Sequence, residues 1–256
     1  MSSVTQAPAR VGAMRRAGRS VARTASTAAL DARLLWRNQF YTVSLVVCVL
    51  LGGGLRFFFA PDQAGAVLPV IYLLMVGAST YFIGGAFVLL EKSQDTLVAL
   101  RTSPLRPRDY LRAKVLVFGS LLAAECTILG AVAFGAAGVE RGWALAIGLL
   151  ALGVLQTAIG VGQSAPHGAV TTFLIPGGAL IGTALQLPIF YVFEVGPAWL
   201  WYLFPTHGPF LMILGAWRDL DTWQWAYAVG VTVVALLWSL RWARRRLDEH
   251  LDWTSR

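Results

Sequence analysis

GAVLPVIYLLMVGASTYFIGGAFVLL, residues 65–90, runs for 26 residues without a charged side chain. As a helix it would extend about 39 Å, more than the roughly 30 Å of hydrocarbon in a bilayer. Charge returns at once in the stretch that follows, EKSQDTLVALRTSPLRPRDYLRAK, residues 91–114. A neutral run of spanning length followed by a dense charged turn predicts a membrane helix leading into an aqueous connection. Five further apolar runs of spanning length, with Arg56 and Glu125 their only charged residues, lie at 40–60, 115–138, 143–161, 169–187 and 223–240. Over the whole chain 57% of residues are hydrophobic and only 13% charged, about half the charge that a soluble surface carries. The expected fold class is therefore an all-α integral membrane protein with six transmembrane helices.

The net charge of +8 reports orientation and gives no sign of nucleic acid. Of 21 Lys and Arg, only Arg56, Arg141 and Arg218 fall at one end of such a bundle. The remainder gather in the N-terminal arm, the 91–114 connection and the C-terminal tail. This asymmetry predicts that both termini lie in the cytoplasm, with anionic headgroups as the nearest charged partner. Trp143, Trp217, Trp223 and Trp225 would then sit near the outer interface, and Trp36, Trp238 and Trp242 near the inner one.

Residues 1–20 read as a disordered, basic cytoplasmic arm. Residues 21–39 read as an amphipathic helix on the membrane surface. In it Val21, Ala25, Ala28, Ala32, Leu35 and Trp36 oppose Arg19, Arg23, Arg33 and Arg37, and Arg33, Trp36 and Arg37 mark the interface. Residues 188–222 are too aromatic for a free loop and too broken by Pro188, Pro197, Pro205 and Pro209 for a span. A re-entrant outer hairpin buried against the bundle suits that mixture, with Pro205 and His207 as its candidate site residues.

The chemistry of catalysis is missing. There is no GxxxxGKS/T run, no HExxH, no GxSxG and no CxxC, so nothing predicts nucleotide, metal or cofactor binding by this chain. Cys48 and Cys126 lie inside apolar runs and read as filler. His167, His207 and His250 are scattered. Glu125 is the one carboxylate inside a span, and an intramembrane carboxylate marks a candidate translocation path. Gly178 and Gly182 form a GxxxG that admits close helix contact, within the bundle or between subunits.

The 91–114 connection has a shape of its own. Thr96, Leu97 and Leu100 lie at helical spacing ahead of Ser103-Pro104, Pro104 and Pro107 stop that helix, and Asp109 can cap the next. The result is a protruding elbow suited to docking a partner. Glu91, Thr96-Leu97, Leu100, Ser103-Pro104-Leu105 and Lys114 here resemble the elbow of type-2 ABC exporter permeases. Asp95 and Ala113 stand where that family commonly has Gly. The stretch 201–208, WYLFPTHG, is more faintly similar to permeases of the fluoroquinolone-export branch.

The resemblance implies a non-catalytic permease subunit in the bacterial plasma membrane, exporting an amphipathic drug-like or lipid-like compound. It implies pairing with a second copy or a sister permease. It further implies a separate ATPase subunit that binds ATP and Mg and docks on Glu91, Asp95, Thr96, Leu100, Arg101, Ser103, Pro104 and Arg106. From the residues themselves two other readings stay open. One is a stand-alone ion-coupled transporter centred on Glu125; the other is a membrane scaffold or assembly factor without cargo.

Overall fold

The computed structural model describes residues 7–94, 96, 106–139 and 142–250. Among them six helical stretches are long and apolar enough to cross a membrane: Phe40–Phe58, Pro61–Ser93, Pro107–Gly138, Gly142–Ser164, Val170–Tyr191 and Thr222–His250. They coincide with the six runs read from the sequence, and no strand occurs among the described residues. Two spans extend furthest past their apolar runs. The third begins at Pro107, whose fixed φ suits a first helical turn. The sixth continues through the basic tail to His250.

Gly142–Ser164, the fourth span, forms the centre: 78% of its apolar stretch is buried, against 17% for the first span and 28% for the fifth and sixth. Small residues permit that central position. A Cβ on Gly160 would collide with the Tyr81 carbonyl of the second span, and one on Gly148 would meet Ile213 and the Pro209 carbonyl. The first span packs on the third and leaves Val43, Val46, Leu50 and Phe57 exposed, which suits a helix facing lipid.

The N-terminal helix departs from expectation. It starts at Ala7 and runs to Arg37, so the arm expected to be disordered over 1–20 is helical from Ala7. Its Ala- and Arg-rich composition favours helix, and no proline lies beyond the first turn. The buried stripe also differs from the apolar face read in the sequence. Ser20, Thr24, Thr27, Asp31 and Leu35 are buried, whereas Val21 and Trp36 are exposed, as are Arg33 and Arg37. The helix thus turns hydroxyls, an acid and Leu35 toward the bundle and leaves Val21, Arg33, Trp36 and Arg37 outward.

Between the fifth and sixth spans, short helices at Ala198–Trp201 and His207–Leu214 fold back on the bundle. All eight residues of His207–Leu214 are buried, packed chiefly on the fourth and sixth spans. The Thr206 hydroxyl donates to the Leu185 carbonyl at 2.8 Å, tying the hairpin to the fifth span.

Candidate functional site: a buried charge knot and a polar seam

The second span delivers Glu91 from its last turns, and the third span delivers Tyr110 and Lys114 from its first. The N-terminal helix lays Asp31 across them. Lys114 Nζ donates to Glu91 Oε1 at 2.6 Å and to Asp31 Oδ1 at 3.0 Å. The Tyr110 hydroxyl donates to Glu91 Oε2 at 2.5 Å. The ammonium also lies over the Phe87 ring, 4.3 Å from its centroid. Lys114 is completely buried, and both carboxylates nearly so. Such groups stay charged out of water only with close partners on every side. Burial pushes Asp31 up to about 6 despite the attraction of Lys114, and the neighbouring Glu91 adds to the rise.

One helical turn away a second layer repeats the idea. Asp109, fully buried, accepts from the Ser20 hydroxyl at 2.5 Å and pairs with Arg23 at 3.2 Å. The sequence pattern predicts Asp109 as a helix cap. Instead Arg106 holds the cap position in extended backbone without a side-chain cap bond, and Asp109 turns inward to receive the N-terminal helix. Lys92 joins a third segment, donating to the carbonyls of Ala165 at 2.7 Å and His167 at 2.9 Å after the fourth span. The N-terminal helix, both spans flanking the elbow and the fourth-to-fifth turn are thereby bolted into one body.

The elbow residues divide accordingly. Glu91, expected as a docking contact, is buried and committed to Lys114 and Tyr110, because a carboxylate at that depth must find an internal cation. Thr96 is helical and half-buried, and Arg106 is exposed. Asp95, Leu100, Arg101, Ser103 and Pro104 lie outside the described residues.

A polar seam crosses mid-bundle. Glu125 is buried, with the Ser44 hydroxyl of the first span donating to Oε1 at 2.6 Å. Ser79 lies beside it, its own hydroxyl donating to the Met75 carbonyl at 2.7 Å. Oε2 has no hydrogen-bond partner among the described residues. Ser79 sits in Gly77–Phe82, where the second span widens into a π-helix. The fifth span does the same at Ile181–Leu185. Gln186, directly after that segment, sends its amide to the second span's Leu74 carbonyl at 3.3 Å. Gln156 of the fourth span is fully buried beside Gly77, and neither of its amide atoms is paired among the described residues. Single-turn π segments recur at functional sites. Here both border the seam, and each follows a proline, Pro69 or Pro176, that removes a donor from the helical ladder.

In the hairpin between the fifth and sixth spans, His207 is buried among Tyr191, Tyr202 and Tyr227, with ring centroids 4.8, 4.7 and 6.1 Å away. Neither ring nitrogen is hydrogen-bonded among the described residues. Pro205 is half-buried in the preceding turn.

Sequence reasoning missed Asp31 and Gln156, and it gave Asp109 a capping role in place of its inward one. For Asp31 a signal existed: it is the sole acid in the first 61 residues, isolated in a basic arm that needs none for solubility. Gln156 offered only its polarity inside an apolar run.

These features define a multi-pass helical membrane protein with its polar groups gathered inside the bundle. A family model described as the fluoroquinolones export permease protein family matches residues 22–252, and the chain belongs to that family. Two relatives, each named as a fluoroquinolones export permease protein, come from two strains of Mycobacterium tuberculosis. Each is 32% identical over 157 residues, covering 60% of this chain and 65% of the relative. The aligned part is thus just under two thirds of the relatives' own length.

Proposed function

We propose that this chain is the membrane-spanning subunit of an ATP-driven ABC exporter. A separate ATPase subunit, with its ATP and Mg, would dock beneath the elbow on the cytoplasmic side, the side to which the arginine asymmetry assigns both termini. The cargo is an amphipathic drug-like or lipid-like compound, with fluoroquinolones suggested by the names of the relatives. The observation that carries the reading is the Asp31–Lys114–Glu91 knot. It joins both ends of the elbow to the N-terminal helix, so a push at the elbow moves three elements together and does not dissipate in a loop. The tilt of the second span would then reach its π segment and the polar seam. Burial of only 28% in the fifth span supports pairing with a second permease. Gly178 and Gly182 suit the contact, because both face outward and a Cβ at either would meet no atom within 4 Å.

The test is affinity purification of the full chain from gently solubilised native membranes. A stoichiometric partner carrying a P-loop is expected. Recovery of the chain alone, under conditions that preserve a known ABC complex, would refute the reading. Glu125, with one oxygen unpaired among the described residues, favours a second reading as an ion-coupled carrier. Export that survives ATP depletion and collapses with the proton gradient would select it.

A further inference from the structure

The sixth span carries a groove on the lipid-facing side of its basic end that the export reading leaves unused. Its volume is about 420 Å³ and it is lined by Val234, Leu237, Trp238, Arg241, Trp242 and Arg245. The upper part is apolar: Leu237 and Trp238 are both about half exposed, and Trp238 stacks on Trp242 with centroids 6.0 Å apart and planes 12° from parallel. The lower part is cationic. Arg241 and Arg245 are exposed, lie one turn apart on the same face, and have no acidic partner among the described residues. Their neighbours are already engaged: Arg244 reaches Asp248 at 3.8 Å and Arg246 lies over the Trp242 ring at 5.6 Å.

Nineteen residues from Thr222 to Leu240 rise about 28 Å as a helix, which places Arg241 at the headgroup level of the leaflet it faces. The arginine asymmetry of the sequence makes that leaflet the cytoplasmic one, where anionic lipid resides. Two uncommitted guanidiniums can fork a phosphate, the indoles favour the interface, and the slot above them is long enough for the upper part of an acyl chain.

We infer that this groove is a binding site for an anionic glycerophospholipid, its phosphate held by Arg241 and Arg245 and one acyl chain lying along Val234, Leu237 and Trp238. The site does not depend on the ATPase partnership. Its occupant is a lipid because the charge and the apolar slot are continuous on one helix face, the polarity profile of half a bilayer.

The test is native mass spectrometry of the detergent-purified full chain titrated with phosphatidylglycerol or phosphatidylcholine of identical acyl chains. Phosphatidylglycerol should form discrete adducts at lower concentration than phosphatidylcholine. The double variant Arg241→Gln/Arg245→Gln should weaken them roughly tenfold to thirtyfold, while Arg244→Gln leaves them unchanged. Equal retention of both lipids by the wild-type chain, a comparison that needs no variant, would overturn the site. So would unchanged phosphatidylglycerol adducts in the double variant. A disulfide between copies through Leu237→Cys in native membranes would put a second copy in the groove and likewise overturn it.

Discussion

Lys114 is the only cation shared by Asp31 and Glu91 among the described residues, and removing it should cost more than losing any exposed ion pair in the chain. Lys114→Met leaves two buried carboxylates without a counter-charge, a loss of about 3–5 kcal/mol. We expect Lys114→Met to lower the thermal midpoint in detergent sharply, whereas Arg244→Gln, breaking an exposed pair, shifts it little. Asp31 gives the knot a pH dependence of definite sign. Its carboxyl is held at about 6 against an ordinary 3.8, so the folded chain binds that proton more tightly than the unfolded chain. The resulting stability is fully present below 3.8 and is lost as pH rises through about 6, amounting to about 3 kcal/mol. Thermal midpoints of the wild-type chain should therefore fall relative to those of Asp31→Asn between about pH 4 and 6.5. Parallel curves for the two proteins would show that Asp31 does not hold the proton. For Glu125, Glu125→Gln keeps the Ser44 contact while removing the titratable group. If the seam carries cargo, export should drop with expression unchanged, and full export of every substrate by the variant would take Glu125 out of the path.

At the level of elements, the glycines distinguish internal seams from open faces. Gly160→Ala sets a methyl against the Tyr81 carbonyl, a backbone atom that cannot step aside, so it should disrupt packing of the second span on the fourth and reduce folded yield. Gly178→Ala meets nothing within 4 Å. It should leave the isolated chain's thermal midpoint unchanged and impair only assembly or export if the fifth spans of two copies meet there. Both variants behaving alike in size-exclusion and melting measurements would remove the distinction. The elements also show where reading from sequence stops. Runs such as 65–90 announce themselves because excluding charge over spanning length has one common cause. The Gly77–Phe82 and Ile181–Leu185 π segments do not, since an extra residue in a turn leaves the apolar composition untouched. The broken 188–222 stretch is legible as a hairpin from its prolines and aromatics. The burial of His207 among three tyrosines is not, because those tyrosines come from both sides of it in sequence.

Across the whole molecule, the six spans are legible in the sequence, while the knot is not. Asp31 and Lys114 are 83 residues apart, and no local periodicity links residues at such separation. The N-terminal helix defies its sequence pattern because an apolar face need not turn inward here. In a membrane bundle lipid takes apolar side chains as readily as the core does, so the inward face is chosen by the polar groups that need partners. The co-purification described above tests the assembly at this scale. The knot also constrains how the chain is made. A ribosome that has released Asp31 and Glu91 has not yet released Lys114, 23 residues beyond Glu91, and at roughly 5–20 residues per second two acids wait for their cation. The N-terminal helix therefore cannot take its final seat until the third span has begun to insert. Until then it must rest on the membrane surface or be held by the insertion machinery, so truncations that end before residue 114 should leave that helix undocked and open to quality-control proteolysis.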